Sequence, residues 1–280
     1  MSNTILIIGG DKRQDTLYGL LKKKDYNCFR ENKTSDNILS EVSKHKILIL
    51  PVPFTADGEY IYSNNPDFTL SVSDLLSALS DKNTVIAGGM SSNIRNQMKA
   101  KKVKHYDMTD SDYFTEYNAF LTSQGALKLL FDNTLSLVTG KKVLITGFGR
   151  VAEALAYNLK GIGTDVFILA RNPRQLMKAQ CLGCKTVNMA AKSSVICLFD
   201  YIFNTVPSPV FPEADVFRMR DDTVYFELAS KPFGADKADF LKHGKKYIYG
   251  GGLPGRFVSD SAAEIMAEFI INTVKENFYE

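Results

Sequence analysis

The segment from Lys141 to Leu159, KKVLITGFGRVAEALAYNL, limits the possible folds more than any other stretch of the chain. An apolar strand, Lys142 to Thr146, runs into Gly147-Phe148-Gly149 and opens directly into a helical pattern from Ala152 to Leu159. Strand, glycine turn and helix in that order are the parts of an α/β sheet that holds a dinucleotide. Gly147 supplies the tight turn, Gly149 lets the backbone approach a pyrophosphate, and Ala152 takes the third glycine position, where helix and strand pack closely. The free amides opening the helix favour a diphosphate, which makes Gly147, Gly149, Arg150 and Val151 candidate cofactor residues.

A glycine turn can also be purely structural, so the following strand matters. Asp165 to Ala170 ends in Arg171-Asn172-Pro173-Arg174. An NAD enzyme places an acidic residue for the ribose 2′-hydroxyl there, about 20 residues beyond the glycines. A basic segment suits a 2′-phosphate instead, so Arg171, Asn172 and Arg174 are candidates for binding NADP, the alternative being two solvated loop charges.

The rest of the chain alternates in the same way. Strands at Thr4 to Ile8, Tyr26 to Arg30, Lys46 to Leu50 and Thr84 to Ala87 are separated by helices at Arg13 to Lys24, Ile38 to Ser43, Ser71 to Leu79 and Ser92 to Lys101. A long helical stretch over Tyr117 to Leu137 leads into the second series: Lys142 to Thr146, Asp165 to Ala170, Lys185 to Val187, Tyr201 to Asn204 and Thr223 to Leu228. Near-continuous apolar strands between helices mean parallel sheets covered on both faces. The expected architecture is therefore α/β, with two doubly wound parallel-sheet domains. One spans 1–120 with a returning helix in 260–280, and the other spans 121–259 with the bridging helix.

Charge and cysteine usage narrow the function. With 34 basic and 31 acidic residues the net charge is +3, so neither nucleic acid nor an anionic membrane is an expected partner. No secretory pattern opens the sequence and no apolar run reaches the ~20 residues of a membrane span, which predicts a cytoplasmic protein. Cys181-Leu-Gly-Cys184 has redox or half-zinc spacing, but Gly183 reads as a helix end and no second pair accompanies it. No metal is expected.

Ligands of open α/β sheets bind outside the carboxyl ends of the strands. Asn204, Thr205, Val206 and Pro207 end one strand and Ser230 and Lys231 follow another, so Asn204, Thr205, Ser230 and Lys231 should line the nicotinamide end of the crevice. The first domain has its own glycine turn, Gly9-Gly10-Asp11-Lys12-Arg13-Gln14, without a third small residue in register. It fits a small acid, with Arg13 as a bidentate donor and Asp11 either orienting Arg13 or moving a proton; the plain alternative is a helix-capping Asp11 beside a surface Arg13.

Together these segments resemble the dipicolinate synthase A-subunit family. The resemblance rests on Gly9 to Gln14, Tyr117-Asn118 to Gly125-Ala126, Gly147-Phe148-Gly149-Arg150, Asn204-Thr205-Val206-Pro207, Glu227 to Pro232 and Gly252-Leu253-Pro254-Gly255. It implies a flavodoxin-like first domain and a Rossmann second domain in a formate/glycerate dehydrogenase-like arrangement. It further implies NADP-dependent oxidation of dihydrodipicolinate, or its hydrated precursor, to pyridine-2,6-dicarboxylate in spore formation. The partners implied are a small dicarboxylate substrate and a dipicolinate synthase B subunit, with a homodimer also admissible. On the matching motifs, Arg13, Lys231 and Arg256 are the cations for substrate carboxylates, with Asn118 and Ser230 beside them and Asp11 and Lys231 as catalytic candidates. The chain departs from the family pattern at Gln124, Lys231, Phe233 and Val258 to Ser261. Two other readings share parts of this pattern: a D-2-hydroxy-acid-type dehydrogenase, which needs a histidine after the last Rossmann strands, and a non-catalytic protein that senses NADPH or serves only assembly.

Overall fold

A computed structural model describes residues 4–34 and 38–278. The outermost residues of the expected domain ranges, 1–3 and 279–280, lie outside the described residues, as do 35–37. The chain divides into two compact units, Met1–Tyr117 with Val258–Glu280, and Asn118–Phe257.

The first unit contains β1 (Ile5–Ile8), α1 (Lys12–Lys23), β2 (Cys28–Glu31), α2 (Ile38–Lys44), β3 (Ile47–Ile49), α3 (Val72–Ala78), β4 (Thr84–Ala87), α4 (Ser92–Ala100) and β5 (Lys104–Asp107). All pairs are parallel, in the order β2-β1-β3-β4-β5. This is the flavodoxin-like order, with its switch point between β1 and β3. Ile5, Leu6, Ile7 and Ile8 are all buried, as a central strand covered on both faces requires. The sequence pattern does not mark β5, because its residues, KHYD, are half exposed at the sheet edge and carry no apolar run.

The long helix α5 covers Asp112–Asp132 and not Tyr117 to Leu137. Its start is set by Ser111, whose hydroxyl accepts from the Phe114 amide at 3.2 Å. Its end is set by packing: Leu135 and Leu137 have no core to meet and are exposed, so the apolar spacing there carries no helix.

The second unit continues with β6 (Lys142–Thr146), α6 (Arg150–Gly161), β7 (Asp165–Ala170), α7 (Pro173–Cys181), β8 (Lys185–Asn188), α8 (Lys192–Val195), β9 (Tyr201–Asn204), α9 (Glu213–Arg218), β10 (Val224–Glu227), α10 (Lys237–Lys242), β11 (Lys246–Tyr249) and α11 (Leu253–Phe257). Its six parallel strands run β11-β10-β9-β6-β7-β8, the Rossmann order, with the switch point between β6 and β9. Alternate residues face opposite sides. Val143, Ile145, Phe203 and Phe226 pack against Ala152, Leu155, Ala156 and Leu159 of α6, while Leu144, Leu169, Ile202 and Tyr225 form the core of the other face. Ala152 is wholly buried in that contact, which is why a small residue is needed there. The remaining helix, α12 (Ser259–Phe278), belongs to the first unit, where Asp260 accepts from the Thr16 hydroxyl at 3.0 Å and Asn277 from the Tyr106 hydroxyl at 2.6 Å.

Candidate nucleotide site

A cavity of about 750 Å³ opens at the carboxyl ends of β6, β7 and β9 in the second unit. Gly147, Gly149, Arg150 and Val151 form its floor at the start of α6, Arg171 and Asn172 lie on its wall after β7, and Thr205, Val206 and Pro207 lie on its wall after β9. Gly147 adopts φ +74° with its amide donating to Leu169 O at 2.8 Å, and a β-carbon there would meet Val206 at 2.8 Å. Gly149 is the N-cap of α6, in ordinary extended backbone and without a side-chain cap. A β-carbon on Gly149 would meet nothing within 4 Å, so the open space above it is what a pyrophosphate needs to reach the helix amides.

These two glycines should therefore separate in experiment. Gly147→Ala should destabilise the protein through both strain at positive φ and the Val206 contact, by about 1–3 kcal/mol. Gly149→Ala should melt like the parent yet bind NADP+ roughly tenfold more weakly by calorimetry, because its methyl fills ligand space alone. Equal losses of stability would sink this assignment.

Several side chains on the wall carry no mark in the sequence. Gln175, in the first turn of α7, lines the same cavity as Arg171, and Thr146 ends β6. Lys192 also lines the cavity, but its ammonium is 2.5 Å from Asp215, a carboxylate that is 1% exposed, so it braces the wall. No motif singles out a lone lysine or glutamine of this kind. Asn172 lines the cavity, and its side-chain oxygen accepts from the Arg174 amide at 2.9 Å as the N-cap of α7. Arg174 is exposed on the first turn of α7, off the cavity wall.

Asn204 requires a correction. Its place at a strand end predicts a crevice-lining residue, yet it is fully buried below the crevice. Its side-chain oxygen accepts from the Thr146 hydroxyl at 2.5 Å and its nitrogen donates to Glu227 at 2.6 Å. Glu227, also fully buried, accepts three further bonds, from the Tyr225 hydroxyl at 2.9 Å, the Ala229 amide at 3.1 Å and the Gly234 amide at 2.8 Å. Burial pushes the Glu227 carboxyl above the ordinary glutamate range, against the pull of these donors. A buried carboxyl can stand only with such partners, and the motifs that contain Asn204 and Glu227 mark the residues without showing the bond between them.

Lys231 also departs from expectation. It lies on a second, aromatic cavity of about 960 Å³ with Phe233, Tyr247 and Tyr249, and among the described residues only Pro209 borders both cavities. Ser230 is exposed beside it and lines neither cavity. Arg256 is exposed on α11, donating to Gly251 O at 3.2 Å and lying over the Phe257 ring. Asn118 sits on α5, its carbonyl taken by the Thr122 hydroxyl at 2.7 Å. Gly125 and the Gly252 to Gly255 segment meet each other: a β-carbon on Gly125 would lie 2.7 Å from Leu253. Their small residues serve helix packing within the second unit.

In the first unit the Gly9 to Gln14 turn is tied to protein groups, the Gly10 amide donating to Tyr62 O at 2.7 Å. Gly9 and Gly10 take φ +61° and +88°, Asp11 caps α1, and the Gln14 side chain accepts from the Asp11 amide at 2.9 Å, completing a capping box. Arg13 directs Nε and Nη2 to Asp11 at 2.9 and 2.8 Å, both side chains being 6% exposed, and Nη2 also donates to Val52 O. Burial pushes the Asp11 carboxyl up, and the hydrogen bonds and charge of Arg13 more than reverse it, so it is held below the usual range. The pairing orients Arg13, and at 5% exposure Arg13 is not the surface residue of the plain alternative.

The family model for the N-terminal domain of the dipicolinate synthase A subunit matches residues 4–109. The corresponding dipicolinate synthase chain of Bacillus subtilis (strain 168) is 26% identical over 291 residues, covering 97% of this chain and 96% of that protein. The crystal structure of the same dipicolinate synthase component from Bacillus halodurans superposes with a TM-score of 0.84 at 21% identity, covering 97% of each chain. D-lactate dehydrogenase from Escherichia coli shares the fold at a TM-score of 0.71 and 12% identity, over 97% of this chain and 96% of that one. Residues 4–109 thus match the N-terminal domain of the dipicolinate synthase A-subunit family, and the similarity to that family's Bacillus subtilis chain continues through both units.

Proposed function

We propose that this protein is an NADP-dependent oxidoreductase, the A subunit of a dipicolinate synthase that acts in spore formation and in the cytoplasm, partnered by a B subunit. The observation that carries this reading is the uncluttered start of α6, where Gly149 leaves open space over the helix amides and Arg171 stands on the same wall. Bound NADP+ would supply a hydride acceptor. Dihydrodipicolinate would give up a hydride and a proton in becoming pyridine-2,6-dicarboxylate, and the hydrated precursor would lose one water as well. Formation of an aromatic ring drives this step, so the protein has chiefly to position the ring and exclude side reactions.

The chain's own residues divide that work. The amides of Gly149 and Val151 at the start of α6 would hold the diphosphate, with Gly147 shaping the turn below them, and Arg171 with Gln175 would meet the 2′-phosphate. Thr205, Val206 and Pro207 close the opposite wall. Lys231 and Arg256 are the exposed cations available for the substrate's carboxylates, a role not assigned to Arg13, whose charge is already engaged by Asp11. The histidine base of a 2-hydroxy-acid dehydrogenase has no counterpart on the walls of either large cavity: His243 pairs with Glu213 at 3.0 Å, and His45 and His105 are bonded to backbone carbonyls.

The test is incubation of the pure protein with NADP+ and freshly generated dihydrodipicolinate, with and without a B subunit, following NADPH absorbance and dipicolinate by chromatography. Stoichiometric NADPH and dipicolinate are expected. Saturable NADPH binding without turnover under either condition would replace the enzyme with a sensor or an assembly factor.

A further inference from the structure

The carboxyl ends of β9 and β10 each continue into a loop, 204–210 along the nucleotide cavity and 229–234 carrying Ser230 and Lys231. One buried side chain is bonded to both. Glu227 Oε1 accepts from Asn204 Nδ2 at 2.6 Å and the Ala229 amide at 3.1 Å, and Oε2 accepts from the Tyr225 hydroxyl at 2.9 Å and the Gly234 amide at 2.8 Å. From Asn204 the chain of bonds goes on to the Thr146 hydroxyl at 2.5 Å, which accepts from the Thr205 amide at 3.1 Å, while the Thr205 hydroxyl donates to Thr146 O at 2.7 Å. Thr146 is the residue that immediately precedes Gly147.

We propose that Glu227 is a positioning residue that fastens the loop along the nucleotide cavity to the loop presenting Lys231, so that the placement of one is set by the other. This deepens the nucleotide reading above and rests on it for its functional consequence. The chemistry requires an acceptor-only group, since four donors converge on two oxygens and only a carboxylate accepts from all of them without offering a proton back. Glutamine has the same shape but would turn an amide nitrogen toward two of those donors. Leaving buried donors unsatisfied costs more than the bonds contribute when made, so the loops should part to reach water.

The test compares Glu227→Gln, Glu227→Asp and Asn204→Ala with the parent by amide hydrogen exchange without nucleotide, followed by NADP+ titration and steady-state kinetics. In E227Q the amides of Thr205, Val206, Ala229 and Gly234 should exchange at least tenfold faster while those of β7 and α7 keep the parent rate. N204A should speed Ala229 and Gly234, across the carboxylate from the altered side chain. E227D, still an acceptor, should recover part of the protection. In turnover, E227Q should raise KM for NADP+ and lower kcat together, by about tenfold each. Exchange changes confined to the loop nearest each substitution, or spread evenly over the unit, would overturn the fastening role. A parent protein that shows the linked exchange but binds no NADP+ would end the nucleotide reading and leave the fastening in place.

Discussion

Reversing the charge at Arg171 should raise the Michaelis constant for NADP+ by about 100-fold while leaving that for NAD+ within about twofold. The side chain stands on the wall of the cavity at the end of β7, which Gln175 also lines, and among the described residues no acidic side chain lines that cavity. A guanidinium binds a phosphate through charge-assisted, often bidentate hydrogen bonds. Arg171→Glu removes that attraction and adds repulsion against a dianion, and a 100-fold loss corresponds to about 2.7 kcal/mol. Because the position is exposed, the substitution should leave folding intact, which a thermal melt within about 2 °C of the parent would establish. Arg174→Glu, off the cavity wall, should have a much smaller effect. Equal losses for both nucleotides would remove Arg171 from the 2′-phosphate site and return it to the solvated charges of a loop.

Asp11→Ala should cost the first unit about 3–5 kcal/mol. The mutation leaves the Arg13 guanidinium buried without its counter-ion, and it removes the cap of α1, a loss of roughly 1 kcal/mol that lies within that range. Native-state exchange of the β1 and α1 amides reads the first unit directly, where a whole-chain melt mixes two units. The pH dependence follows from the lowered carboxyl. A group whose folded value is depressed stabilises above its unfolded value and loses that contribution as pH falls through the folded one. The difference between Asp11→Ala and the parent should thus be complete above about pH 4 and shrink on acidification below the ordinary value of 3.8. A loss under about 1 kcal/mol at neutral pH would contradict the ion pair and reopen a proton-transfer role for Asp11.

The two glycine turns show how differently a motif can be used. At Gly147 to Gly149 the local sequence specifies strand, turn and helix, because only glycine tolerates φ +74° against Val206 and only a missing β-carbon leaves the amides accessible. At Gly9 to Gln14 the same pattern suggests a ligand site, while the folded turn engages Asp11, Arg13 and the Gln14 oxygen with protein groups: cap, counter-ion, capping box and the Val52 carbonyl. Sequence cannot distinguish the two because a donor looks the same whether its acceptor is a ligand or a residue two positions away.

What the sequence determined by itself was whatever depends on neighbours along the chain: the alternation of strands and helices, the glycine turn, the basic step after β7, and hence the α/β class. Edge strand β5, KHYD, escaped it because a half-exposed strand carries no apolar run, while β11, KYIY, went unread despite its aromatic and β-branched residues. Only the tertiary structure decided the fate of the polar residues at strand ends. Asn204 and Glu227 are 23 positions apart and meet because parallel pairing of β9 with β10 aligns them in register, burying a carboxyl that water would otherwise hold. Lys231, four residues on from Glu227, is turned instead toward a second cavity, since the bonds that close its loop are made by Ala229 and Gly234.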